Sequence, residues 1–360
     1  MSYESLDSQW GESWLEPHPV PQDLAAAIRQ VTGGGMPVWA SLLTPVPWVI
    51  RTFLRTIDKK LAHMPLPLFD LIALVVAQDN SCRYCYGATR AILKIQGFGD
   101  ERIEMLERDL QLAKLTPAED AAIRYARRVS QANPMPGPQD LQDLAAAGFT
   151  PPMIAEIVYM AAFAGYGNRV ATLFALPPDQ IEHLLDKPLM RLMRPLIARK
   201  MRGRPQPAVK LPTPNEPPFA ELVATLDGSP TAYFVRADID DAMASPVLTR
   251  RTKLLMCAVV GHALSCDAVT RETRRTLAAE GLSGAEIDEI VTNLGSPRLD
   301  EREQLLIPFA RETVRYRNIP IQQRTRELGS RLGLDVAIEA VGMAALANSL
   351  ARLSVLVSPC

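Results

Sequence analysis

Apolar residues recur every three to four positions along nearly the whole chain, as in DAAIRYARRV (120–129) and MIAEIVYMAAFA (153–164). That period lines one face of an α-helix, whereas strict alternation, the mark of a half-buried strand, is almost absent. The pattern predicts an all-α protein. Helix boundaries are legible too. Thr116-Pro117-Ala118-Glu119 offers a capping hydroxyl, a first-turn proline and an early carboxylate. Gly97, Gly148, Gly281 and Gly333 each follow a periodic segment, where a left-handed cap residue is expected. The most apolar long stretch, Val336 to Val357, is interrupted by Glu339, Asn348 and Arg352, so it reads as a buried helix rather than a membrane span.

An internal repeat is the most informative pattern. Laid against itself with Cys82 on Cys266, the chain aligns LIALVVAQDNSC (71–82) with LMCAVVGHALSC (255–266), five identities in twelve. Without a gap, Arg90, Leu93, Gly97 and Ile103 then fall on Arg274, Leu277, Gly281 and Ile287. Farther on, Glu119, Ala126 and Arg127 fall on Glu303, Ala310 and Arg311. One residue less of shift sets MAAFAGYGNRVATL (160–173) on MAALANSLARLSVL (343–356), six identities in fourteen. Register held over so long a span marks a duplication. The expected organisation is an N-terminal extension (1–36), a helical domain (37–186), a connector (187–218) and a second helical domain (219–360), the two repeats forming a pseudo-dimer.

Composition narrows the partners. The 360 residues amount to about two domains. Lys and Arg number 39 against 40 Asp and Glu, a formal charge of −1, which excludes a general polycation that coats nucleic acid. The N-terminal MSYESLDSQWGESWLEPHP is polar and acidic, without the basic start and apolar run of a secretory signal, so a cytoplasmic protein is expected. In the connector, eight basic residues and no acidic one between Lys187 and Lys210 precede the proline-rich LPTPNEPP. This run could meet an anionic membrane surface. The favoured alternative is a connector lying against the acidic faces of its own domains.

The five cysteines (Cys82, Cys85, Cys257, Cys266 and Cys360) are too few for a disulfide scaffold, and two of them form the C-x-x-C pair Cys82-Arg83-Tyr84-Cys85. Such a pair is a redox site, half a zinc site or chance. Asn80-Ser81 can cap a helix running to Gly97, which places the pair at a helix N-terminus, where free amides and the dipole lower a thiol pKa. A thioredoxin-type site needs flanking strands that this sequence lacks. Zinc would need two more ligands, and only the distant His262 and Cys266 could serve. No cofactor and no metal are expected.

Asp70, twelve positions before Cys82, then Cys82-x-x-Cys85 and position 89, follow the E-x11-C-x-x-C-x-x-x-H layout. In this the chain resembles the alkylhydroperoxidase D family (AhpD-like) of the carboxymuconolactone decarboxylase-like superfamily. Leu93 to Gly97, Leu115-Thr-Pro-Ala-Glu119, Tyr125-Ala126, Ala147-Gly148 and Asn168-Arg169 are similar to its peroxidase-related branch. The resemblance covers most of 37–180 and, more faintly, 217–357. It implies an all-helical fold that oligomerises and a dithiol that reduces hydroperoxides, restored by a separate dithiol reductant. Carried over, Cys85 is the peroxidatic nucleophile, Cys82 the resolving thiol and Asp70 the relay acid, one methylene shorter than the family's Glu. Thr89 fills the histidine position, and its hydroxyl cannot act as a general base near neutral pH. Thiolate formation would then rest on the helix terminus, helped by Arg83. In the second repeat Val269, Thr273 and Leu254 replace the second cysteine, the histidine and the acid, so that copy is degenerate.

Two other readings stay open: a lyase acting on a small lactone or ring acid, for which only His63 or His183 could be named as a proton donor, and a duplicated helical interaction protein without catalysis. His262 could share a helical face with Cys266 and activate it, against a plain core role. Cys257 reads as core and Cys360 as a bystander. Tyr84 and Tyr86 either line the pocket mouth or pack. Asp79 is an alternative local acid or a solvated loop carboxylate. Asn168-Arg169 reads as helix packing.

Overall fold

The computed structural model describes residues 3–58, 61–108, 115–179 and 217–357. It is helical for 71% of the described residues, with no strand among them, as the apolar period predicts. An N-terminal group comprises α1 (Tyr3–Asp7), α2 (Gln22–Thr32), α3 (Val38–Leu42) and α4 (Pro47–Ile57). Then follow α5 (Leu66–Asp79), α6 (Arg83–Ile95), α7 (Asp100–Arg108), α8 (Pro117–Gln131), α9 (Pro138–Ala146) and α10 (Pro151–Leu173). Beyond the connector come α11 (Ala220–Ala224), α12 (Pro230–Ala244), α13 (Arg250–Ala263), α14 (Asp267–Ala279) and α15 (Gly284–Asn293). The chain closes with α16 (Glu303–Glu312), α17 (Asn318–Leu332), α18 (Leu334–Leu353) and a 3-10 turn at Ser354–Leu356. The connector expected at 187–218 lies, except for Pro217 and Pro218, outside the described residues.

Local chemistry sets the boundaries. Thr116 and Glu119 form a reciprocal capping box at the start of α8, with bonds of 3.2 and 2.8 Å, so two otherwise unpaired amides are satisfied. Gly97, Gly148, Gly281 and Gly333 all take positive φ. Helices α5 and α6 pack as a hairpin, and α13 and α14 do the same.

Two helices occupy the middle. α10 and α18 make the most extensive helix–helix contact in the structure. Residues Ala155–Leu173 and Val336–Leu353 are buried without a break, which is why both helices are apolar on every side. The segment Leu334–Leu356 is the one described helix long and apolar enough to cross a membrane, and 89% of its apolar window is buried inside the protein.

Polar groups inside this core are matched individually. Glu156 of α10, fully buried, accepts the backbone N–H groups of Ala62, His63 and Met64 at 2.7–2.9 Å and the Ser229 hydroxyl at 2.8 Å. Glu339 of α18, also fully buried, accepts from the Leu248 amide and Trp48 indole and pairs with the buried Lys253 ammonium at 2.9 Å. Arg169 Nε donates to the Thr313 carbonyl at 3.1 Å, and Arg352 Nε to the Ser130 carbonyl at 3.2 Å. Arg55 of α4 pairs with Asp238 of α12. Residues 156 and 339, 169 and 352, 130 and 313, and 55 and 238 each stand 183 positions apart, the spacing of Arg55 and Asp238 themselves.

The N-terminal residues are strapped across the surface. Asp7 pairs with Arg83 of α6, and Trp10 Nε1 donates to the Leu176 carbonyl at 3.1 Å. The Gly11 amide donates to Gln322 Oε1 at 3.1 Å, and the His18 amide to the Ser41 carbonyl at 2.9 Å.

Candidate functional site

The C-x-x-C pair sits on the turn between α5 and α6. Helix α5 ends at Asp79, where the Asn80 side chain donates back to the Val76 carbonyl at 2.9 Å. Ser81 then takes a left-handed conformation (φ 52°) and reverses the chain. The Cys82 amide closes the turn on the Ala77 carbonyl at 2.9 Å, and Asn318 of α17 donates to the Ser81 carbonyl at 2.8 Å. Cys82, and not the expected Asn80 or Ser81, is thereby the N-cap of α6, and the pair stands at the helix N-terminus. Its Sγ accepts the Cys85 N–H at 3.3 Å, so the two cysteines share one helical turn. Cys82 is fully buried and Cys85 half-buried.

The electrostatics reverse one expectation. A helix terminus stabilises an anion by roughly 0.3–1 kcal/mol at an exposed site. Burial can outweigh this, because it penalises the charged form by up to several pKa units. Here burial, reinforced by the neighbouring Cys82 sulfur, pushes the Cys85 thiol well above its ordinary value, while a hydrogen bond with the Asn168 side chain acts the other way. Arg83 does not stand free to help, since its guanidinium is engaged by Asp7.

The other two expected site residues fall at different places along the hairpin. Thr89 lies one turn beyond Cys85 on α6 and is buried. Asp70 is buried on α5 and takes a hydrogen bond from Gln96, just past the far end of α6. Eleven residues of chain from Cys85 to Gln96, about 16 Å along a helix axis, separate that end from the thiols. The antiparallel hairpin therefore carries Asp70 away from Cys85 and Cys82 and pairs it with an amide.

Two residues given other roles stand closer. Asp79 closes α5 with its side chain only 8% exposed, 3.5 Å from Arg127. Burial pushes its carboxyl up to about 6, with Arg127 opposing, so it is no solvated loop carboxylate. Asn168 reaches Cys85 from α10, and the Asn80 side chain binds both Asn168 Oδ1 at 3.3 Å and Ser130 Oγ at 3.0 Å. The sequence signal was present: a carboxamide in the buried part of a mostly apolar helix must find a partner. Arg169 packs as expected, spending its donors on the Gly165, Thr313 and Val314 carbonyls.

At the turn between α13 and α14 Cys266 is again a helix N-cap, now of α14, but its Sγ lies 2.7 Å from the Ser354 hydroxyl. His262 is exposed while Cys266 is buried, so the structure gives Cys266 a hydroxyl where activation would need the imidazole. Val269, Thr273 and Leu254 are all buried. Cys257 is core, its thiol pushed by burial up to about 12. Tyr84 and Tyr86 are buried, with the Tyr84 hydroxyl bonded to Asp179. His63 is exposed, its Nε2 3.4 Å from the Gly228 carbonyl. His183 and Cys360 lie outside the described residues. Among the described residues no three His, Cys, Asp or Glu side chains gather closely enough to hold a metal ion.

The two thiols stand three residues apart within one helical turn, a spacing compatible with a single disulfide between them. Comparisons with family models, with curated proteins and with solved structures return no match to this chain.

Proposed function

We propose that the chain is a thiol-dependent hydroperoxide reductase or related disulfide oxidoreductase, built from two copies of one AhpD-like helical unit about an approximate twofold axis. The carrying observation is the Cys82 sulfur, fully buried at the α6 N-cap, accepting the amide of the half-buried Cys85. A twofold relation is supported by the reciprocal bonds of Arg169 with Thr313 and of Arg352 with Ser130, since an isologous contact repeats each pair in both directions.

In the reaction, the Cys85 thiolate attacks a peroxide oxygen. The S–O bond forms as the O–O bond breaks, and the alkoxide leaves as alcohol after taking a proton. Cys82 then attacks the sulfenic sulfur of Cys85, closing the disulfide and releasing water. An external dithiol returns both thiols to the reduced state. Because the Cys85 thiol is held up, the neutral form rests at pH 7, and the oxidation rate should rise with pH through 7 to 9. Alkylation and mass spectrometry after mild peroxide should show loss of two thiols, abolished by Cys85→Ser and accelerated by alkali. Undiminished thiol content would refute the proposal. The raised thiol and the remote Asp70 favour one competing reading, a helical interaction protein with a vestigial pair. For that protein no reversible disulfide is expected.

A further inference from the structure

The dithiol turn rests on a small polar cluster inside the core, and its hydrogen bonds fix which way each carboxamide points. Asn80 Nδ2 donates to the Val76 carbonyl at 2.9 Å, to Ser130 Oγ at 3.0 Å and to Asn168 Oδ1 at 3.3 Å. A carbonyl can only accept, so the Val76 bond identifies the NH2 end of Asn80. Asn168 must then turn its oxygen toward that NH2. This leaves its own NH2 for the hydrogen bond with Cys85. Asn168 is 3% exposed, so the protein rather than water supplies its partners.

The cluster is braced from outside the hairpin. Arg352 Nε of α18 donates to the Ser130 carbonyl at 3.2 Å, and Asn318 of α17 donates to the Ser81 carbonyl at 2.8 Å. Charged groups on the helices packed against α6 face other partners. Asp7 of α1 is held by Arg83, and Asp70 and Asp79 of α5 face Gln96 and Arg127. Asp100 of α7 lies 2.8 Å from Lys94, and Arg169 of α10 spends its donors on carbonyls. On α6 itself the titratable neighbours of Cys85 are Cys82 and Tyr84, and burial holds the Tyr84 hydroxyl well above its ordinary value. The donors that favour the Cys85 anion are a carboxamide and a backbone N–H.

We infer that Asn168 is a catalytic residue of the dithiol site, its amide N–H donating to the Cys85 thiolate. Unlike a histidine, a carboxamide cannot take the thiol proton; it favours the anion once that proton has passed to water. Hydrogen bonding to the charged form is the effect that opposes desolvation of a buried acid. The catalytic role rests on the thiol chemistry proposed above, and it names the group that keeps the nucleophile within reach despite its burial.

The test measures iodoacetamide alkylation of Cys85 in the full chain between pH 8 and 10, read by peptide mass spectrometry without peroxide. Above pH 7 Asp79 is already ionised, so the change across this range belongs to the thiol. Asn168→Asp keeps the shape of the side chain and loses the donor. Alkylation should slow about ten- to a hundredfold at each pH, the loss of one hydrogen bond to a charged group. Asn168→Leu should slow it as well. A packing role predicts the opposite sign, because loosened packing exposes the sulfur and speeds alkylation. Asn80→Asp removes the NH2 that orients Asn168; it should slow alkylation less, and it serves as the comparison if the Asn168 variants unfold. Unchanged or faster alkylation in Asn168→Asp, or in Asn80→Asp where neither Asn168 variant folds, would overturn the assignment. Failure of the reductase reading looks different: peroxide would spare the thiols while Asn168→Asp still slowed alkylation, and the donor would stand.

Discussion

At the first cysteine turn Ser81 and Cys82 take φ of 52° and −83°; at the second, Ser265 and Cys266 take 53° and −95°. One backbone therefore serves both, but the side chains use it differently. Cys82 turns its sulfur to the helix amide, whereas Cys266 makes no cap bond and lies against Ser354. Cys85 is matched by Val269, and the added bulk is absorbed across the hairpin, where Ala77 is matched by Gly261. A Cβ at Gly261 would stand 2.7 Å from Val269 Cγ1. Asp79, raised by burial at the first turn, is matched by Ala263. The turn is thus a product of helix-hairpin packing, and the dithiol is a local feature set into it.

The largest effect expected from this contrast is a pH dependence owed to the first turn alone. Burial raises Asp79 to about 6 in the folded chain, while an unfolded Asp titrates near 3.9. Its contribution to stability is therefore fully present below pH ~4 and lost as pH rises through 6, roughly 3 kcal/mol in all. Urea titrations at pH 4 and 7 should show Asp79→Asn removing that much of the decline. An unchanged slope would mean the carboxyl is not strained by its surroundings.

Gly261→Ala tests the exchange of volume directly. With Val269 in place it should cost about 1–3 kcal/mol, as overpacking does in a filled core. Adding Val269→Cys should recover most of that loss and leave the second turn with the cysteine spacing of the first. Thermal melts of the single and double variants decide this; no recovery would show that the two turns are not interchangeable. Ser354→Ala should have the smallest effect, about 1 kcal/mol, for the contact with Cys266 together with the hydroxyl's local bond to the Ala351 carbonyl. Melting temperature would report it, with Cys266 remaining slow to alkylate because it is buried.

Much of this contrast is legible in the sequence. The capping box at Thr116 and Glu119, the glycines at 97 and 281, and the cysteine at each α-hairpin turn follow from chemistry within a few residues. Three site features are not legible in that way. Asp70 is pulled to Gln96, which is 26 residues away. Asn168 is brought to the thiol from α10, across the core. The Cys85 thiol moves upward because neighbouring helices bury it, a larger effect than the helix terminus visible in the sequence. Each depends on which helix faces packed together.

The sequence alone determined the helical class and the presence of one complete cysteine pair, since periodicity, caps and spacing act along the chain. Only the tertiary structure decided how the thiols are surrounded: Asn168 beside Cys85, Asp79 half-neutral at pH 6, Ser354 against Cys266. Burial and long-range hydrogen bonds set those surroundings, and both arise only when distant segments exclude water together.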